Sequence, residues 1–360
     1  MSFSSVTEFL TPDAMAVAKG TNAFALDLYQ QLRHEKGNLF FSPYSISVAL
    51  AMTYAGARGN TAAQMAQTLH FPQEDERLHE GFAALGRLLD AVQEKGDVLI
   101  SVANALWPQE GYVFLASYLD LVKRFYGVSI TPLDFVNDAE AARVQINARI
   151  EEETRGKISD LIPPGMLDSL TTLVLTNAIY FKGNWANQFD KKKTKENPFW
   201  LSATKAVDAP MMTQKRSFGY AAIRDLQILE LPYVGGDLSM ILLLPRSIDG
   251  LPALEDALTA ENLGKWTRRL RPQEVEVFLP KFKATSSFSL SETLAAMGMK
   301  DVFGAADFSG MTGKRDLFIS EVLHKAFIEV NEEGSEAAAA TAVLVAKSFS
   351  FDMGPTVFKA

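Results

Sequence analysis

Apolar residues recur at helical spacing from early in the chain. Behind Thr11-Pro12-Asp13, which suits a helix start, Val17, Phe24, Leu28 and Leu32 fall on one stripe. Ser42-Pro43 opens a second segment, Tyr44 to Ala57, that is apolar nearly all round and therefore predicts a buried helix. Helical spacing returns over Phe82 to Val92, Ala139 to Thr154 and Leu290 to Met299. Strand patterns lie between these. Thr171 to Phe181 is apolar on both faces and rich in β formers, as a central strand would be. Gln227 to Leu231, Leu238 to Leu244 and Val275 to Phe282 predict further strands, the last with Glu276 breaking an apolar run. Helices and strands do not alternate regularly, which argues for an α+β chain and against a doubly wound sheet or barrel.

Composition narrows the function classes. The 360 residues are 48% hydrophobic and 22% charged, as in an ordinary globular protein with a large core. No linker, low-complexity tract or internal repeat divides them, so one domain over 1–360 is expected. A net charge of -8 speaks against nucleic acid. The densest basic run, Lys191, Lys192, Lys193 and Lys195, reads as a solvated turn after a strand rather than a polyanion site. No apolar run reaches the roughly 18 residues that span a membrane. Met1 to Phe9 lacks the basic and apolar regions of a signal peptide, though a mature start would look the same. Without cysteine there is no disulfide, thiol nucleophile or thiolate metal site.

Catalytic chemistry finds no motif. There is no Gly-x-Ser-x-Gly elbow, phosphate loop or dinucleotide fingerprint, and Gly310-Met311-Thr312-Gly313-Lys314 has the wrong spacing for a phosphate loop. His34, His70, His79 and His324 form no helical pair, so no metal and no cofactor are expected. The unusual stretch is Val330 to Ala342, VNEEGSEAAAATA. Propensity alone makes it a short solvated helix. Gly334 and Ser335 directly after two acids, and a run of small residues leading into Val343-Leu344-Val345, resist that reading. Lys347 to Thr356, with Asp352, Gly354 and Pro355, reads as exposed loop.

Glu332-Glu333-Gly334-Ser335-Glu336, followed by Ala337, Ala338, Ala339, Ala340 and Thr341, closely resembles the hinge of the serpin reactive-centre loop. Asn38-Leu39-Phe40-Phe41-Ser42-Pro43 and Gly56-Ala57-Arg58-Gly59-Asn60-Thr61 resemble that family's buried helix and its exit. Thr176 to Trp185, TNAIYFKGNW, resembles its central strand, and Leu279-Pro280-Lys281-Phe282 and His324-Lys325-Ala326 are also similar. The motifs run in order over essentially the whole chain.

The resemblance implies three β-sheets, eight or nine helices and a reactive-centre loop at about 332–356. It implies a monomeric inhibitor, not an enzyme, that traps a trypsin-, chymotrypsin- or elastase-like serine protease. The cut loop would insert into the main sheet, a family behaviour already established. In one alternate set, Ser335, Ala337, Ala339, Thr341, Val343 and Val345, every side chain is small or β-branched, so this face can be buried. A non-inhibitory serpin used for binding, storage or chaperoning is the alternative. Family spacing puts the reactive bond after Ser348, with Lys347 and Phe349 also candidates. Asp75 to Glu94 is mostly acidic and apolar, so heparin is not expected as an activator. An extracellular place is expected, with a cytoplasmic one left open. The family continues with three further strands beyond the position of Ala360, which would belong to a separate peptide if the loop were cleaved.

Two polar clusters follow from the same resemblance. Ser42, Ser45, Asn177 and His324 match its shutter, with Asn177 and His324 expected within hydrogen-bonding reach. Trp185, Lys281 and Glu332 match its breach, with Glu332 expected beside Lys281.

Overall fold

The computed structural model describes residues 10–72, 75–128, 130–335 and 356–360. The chain divides into two compact units. One lies within Met1–Glu94, Ile100–Tyr180 and Ala284–Phe327, the other within Lys95–Leu99, Phe181–Lys283 and Ile328–Ala360.

In the first unit, helix α1 (Pro12–Leu32) begins as its sequence predicts: Thr11 Oγ1 accepts from Ala14 N at 3.1 Å and Pro12 takes the first helical position. Val17, Phe24, Leu28 and Leu32 are all buried. Helix α2 (Pro43–Tyr54) starts behind Ser42, whose Oγ accepts from Ser45 N, and buries residues on every side. Helices α3 (Gly59–Thr68), α4 (Asp75–Gln93), α5 (Ala116–Tyr126) and α6 (Phe135–Glu153) follow. Strands β1 (Val98–Pro108) and β2 (Leu173–Asn184) belong partly to this unit.

The apolar character of β2 on both faces has a direct cause. Leu173 and Leu175 enter a core with α1, α2 and α4 residues, whereas Val174 and Ala178 enter a second core with Trp107, Phe135 and Ile146. Its neighbour β9 (Glu321–Val330) does the same, Val322 joining the first core and Leu323 the second. The two strands pair in parallel from Val174↔Glu321 to Tyr180↔Phe327.

The second unit is built on β4 (Lys205–Ile223), which follows β3 (Lys195–Ser202). It then continues through β5 (Leu226–Pro232), β6 (Ser239–Pro245), α7 (Leu251–Ala257), α8 (Ala260–Thr267) and β7 (Arg271–Pro280). Strand β4 pairs β3 over Lys205–Met211, β7 over Met211–Tyr220 and β5 over Gly219–Ile223. One 19-residue strand thus holds β3, β7 and β5 in a single six-stranded sheet. Residues Thr356–Lys359 form β11, parallel to β7.

The single strand expected over Val275 to Phe282 is broken. Strand β7 ends at Pro280, which has no N–H, Lys281 N still donates to Pro210 O of β4 at 2.9 Å, and β8 (Phe282–Ser289) follows as a separate strand. Helix α9 (Ser291–Met297) and the single turn α10 (Ser309–Thr312) bring the described residues to ten α-helical segments, against eight or nine expected. Two residues, Gly334–Ser335, form β10, antiparallel to the ends of both β2 and β9.

Candidate functional site

Asn331 turns the chain out of β9. Its N donates to Gly334 O at 2.9 Å, and its Oδ1 accepts from Glu333 N and Gly334 N, closing a tight side-chain-stabilised turn. Gly334 then passes so close to β2 that a Cβ there would stand 2.0 Å from Gly183 O. Only glycine fits. Ser335 is fully buried, opposite Gly183 on one side and Val330 on the other, with its Oγ 2.9 Å from Tyr233 OH. Two residues of the predicted hinge, Gly334 and Ser335, therefore already occupy strand positions.

The acids ahead of them are clamped. Glu332 is 3% exposed, and its carboxylate takes Lys281 Nζ at 2.9 Å and Thr194 Oγ1 at 2.8 Å. Burial alone would raise this carboxyl, but the hydrogen bonds from Lys281 and Thr194 outweigh it and hold its pKa below the ordinary range. Glu333 pairs with Lys191. The main chain is held as well, since Phe189 N donates to Glu332 O at 2.8 Å and Trp185 N to Glu333 O at 2.9 Å. The Trp185 indole donates to Asn331 O at 2.9 Å and stacks on Tyr233 with centroids 4.7 Å apart. The expected trio of Trp185, Lys281 and Glu332 thus stands together. Thr194, Tyr233, Asn331 and the Lys191–Glu333 pair were not foreseen.

In the first unit, Asn177 and His324 face each other in the β2–β9 ladder and their side chains hydrogen-bond. The surroundings fix the imidazole's protonation. Ser42 N donates to Nε2 at 3.1 Å, so Nε2 carries no proton and Nδ1–H donates to Asn177 Oδ1. A second proton would set a donor against a donor in a fully buried site, and burial pushes the pKa down to about 3. Asn177 Nδ2 contacts both Ser45 Oγ and Asn104 Oδ1. Asn104 returns Nδ2 to Ser45 O at 3.2 Å. All four expected residues are joined, and Asn104 is a fifth that sequence reasoning missed. Its signal was a lone amide in the apolar second half of β1.

Glu336, Ala337, Ala338, Ala339, Ala340, Thr341, Lys347, Ser348 and Phe349 lie outside the described residues. Among the described residues, no group of three or more His, Asp or Glu is placed to hold a metal ion, and no helix is long and apolar enough to cross a membrane.

A buried acid latching a glycine turn in one cluster, and a neutral histidine bridging two strands in another, are specific enough to compare with known proteins. A family model described as serpin (serine protease inhibitor) matches residues 19–360. The chain belongs to the serpin family. It is similar to human Serpin B3, with 46% identity covering 91% of this chain and 89% of the relative. It is also similar to human leukocyte elastase inhibitor, with 44% identity over 91% of this chain and 88% of that protein. Among solved structures it resembles Serpin48, a highly specific serpin of the insect Tenebrio molitor. That match has a TM-score of 0.85 and 32% identity, covering 96% of this chain and 92% of the other. The serpin fold is thereby shown.

Proposed function

We propose that this serpin inhibits serine proteases as a suicide substrate, presenting a loop over about 332–356 and inserting its cut hinge between β2 and β9. The observation that carries this is the buried strand at Gly334–Ser335. Continuing its register along β2 pairs Ala337 with Phe181, Ala339 with Ile179 and Thr341 with Asn177, from Gly334↔Asn184 and Ser335↔Gly183. Ser335 faces the core, so Ala337, Ala339, Thr341, Val343 and Val345 would follow it there by alternation. Every one of these is small or β-branched. Insertion therefore buries no charge, whereas Glu336 on the opposite set would face out.

On this reading Asn177 and His324 act as the shutter across the β2–β9 pair that must part, and Trp185, Lys281 and Glu332 as the breach where the hinge enters. The name of leukocyte elastase inhibitor supports a serine protease as partner. The reactive bond follows Ser348, with Lys347 and Phe349 the neighbouring candidates. Helix α4 offers Arg77 and Arg87 against Glu76, Glu80 and Asp90, so we assign it no heparin activation. The relatives' names give no support to an extracellular place, and that expectation is withdrawn.

Incubation with elastase-, chymotrypsin- and trypsin-like proteases tests the proposal. An SDS-stable covalent complex is expected with at least one. Clean cleavage by all of them, with no complex, would leave the non-inhibitory reading in its place.

A further inference from the structure

Three lysines of the basic run, Lys192, Lys193 and Lys195, line a cavity apart from the two clusters described above. The strand ladders build its floor. Lys195 stands opposite Met211 across β3 and β4, and Thr213 opposite Phe278 across β4 and β7, which places these side chains on one face of the sheet. Lys192 and Lys193 hang over the edge from a short 3-10 turn that Asp190 caps by accepting from Lys192 N. The cavity holds about 310 Å³, with buried Met211 and half-buried Phe278 as its apolar surface. Lys359 Nζ lies 6.0 Å from the Phe278 ring centroid.

The charges here are unbalanced. Lys191 is held by Glu333, but among the described residues Lys192, Lys193 and Lys195 have no carboxylate partner and no acid lines the cavity. A purely charged ligand would leave the apolar floor unused, and a purely apolar one would leave three ammonium groups unpaired. An anion with a short hydrocarbon tail satisfies both. We propose that this cavity binds a medium-chain aliphatic carboxylic acid. Its carboxylate sits among Lys192, Lys193 and Lys195, and its tail lies on Met211 and Phe278. The volume is at the small end of the roughly 300–1,000 Å³ typical of ligand sites, which favours a compact acid over a sterol-sized one.

Calorimetric titration of the full chain with decanoate tests this, beside decyltrimethylammonium (same tail, opposite charge) and polyphosphate (charge without a tail). Decanoate should bind one to one, and neither control should. Lys192→Glu with Lys193→Glu should weaken decanoate by about tenfold or more. Both positions are exposed, so the melting temperature should not move. Phe278→Ala should weaken decanoate while leaving any residual polyphosphate binding unchanged. Decanoate binding unaltered in the double lysine variant would overturn the proposal. So would equal binding of the ammonium compound, or polyphosphate binding as tight as decanoate, which would mark a plain polyanion patch.

Discussion

Lys281 and Glu332 meet at 2.9 Å, yet 38% of the Lys281 side chain is exposed and only 4% of Glu332. Removing one partner should therefore not equal removing the other. With Glu332→Gln, Lys281 can turn to water and the amide still accepts from Thr194, so the loss should be about 1 kcal/mol. With Lys281→Met, a carboxylate stays buried with one hydroxyl and no cation. Coulomb attraction across such a gap is roughly 6 kcal/mol at an effective dielectric near 20, before desolvation. Breaking a buried pair from one side costs about 3–5 kcal/mol, and Lys281's exposure argues for the lower end, about 3 kcal/mol.

The pH dependence gives an independent check. In the wild type the Glu332 carboxyl titrates below its ordinary range. Its contribution is complete above the unfolded value of about 4.3 and is lost as pH falls through the lower folded one. In Lys281→Met burial prevails, the folded pKa rises, and protonation relieves the strain. The gap between wild type and Lys281→Met should be widest at neutral pH and narrow on acidification. Urea unfolding at pH 7 and at acid pH, followed by the fluorescence of tryptophans including Trp185, measures it. Equal losses for the two variants, or a gap that does not narrow, would refute the reasoning.

Ser335→Arg would force a guanidinium into a fully buried position beside Tyr233, so the loop should be cleaved without accumulation of covalent complex. Cleavage should also raise its melting temperature far less than it raises that of the wild type; a variant that traps protease like wild type refutes the facing. Glu332→Lys would set two ammonium groups together at the latch and should polymerise on mild heating, which native gels would detect as a ladder absent from wild type. His324 is neutral when folded, with a pKa near 3 against about 6.5 unfolded, so its contribution is full above pH 6.5 and erodes as pH falls toward 3. Wild type should lose up to about 1.4 kcal/mol per pH unit from this site, and His324→Gln should lack that slope.

Elements with one strong local reason for their form were legible in the sequence. Helix α1 carries its proline and its stripe within 21 residues and its cap directly before them, and α2 is so uniformly apolar that only burial suits it. Strand β2 could be read because its two faces meet two different cores. Strands β3 and β4 escaped because exposed and buried positions follow no single period along them: β4 pairs with three different strands in turn, and each stretch answers to its own neighbour. The clusters were out of reach of spacing altogether. Ser42 and His324 are 282 positions apart, and only the family's motifs brought them together. Asn104, Thr194 and Tyr233 complete the clusters from strands and turns that carry none of those motifs.

Gly334 and Ser335 themselves explain how the entrance between β2 and β9 can be filled. Gly334 is the one residue type that tolerates Gly183 O at that distance, and Ser335 is small enough to share a buried site with Tyr233. These two rungs form without strain. Further rungs along β2 would compete with hydrogen bonds that β2 already makes to β9, from Tyr180↔Phe327 down to Val174↔Glu321. They would also part the Asn177–His324 contact, which lies inside that span. Breaking one buried hydrogen bond leaves both groups unsatisfied, at about 1–3 kcal/mol each, until Thr341 arrives opposite Asn177 with its hydroxyl. On the proposed mechanism the barrier is therefore concentrated at the middle of the strand rather than at its entrance. Thr341→Val, which keeps the shape and removes the hydroxyl, should leave cleavage untouched. It should also lower the thermal gain that follows cleavage by about 1–2 kcal/mol. An unchanged gain would mean that Thr341 does not replace the bond that Asn177 gives up.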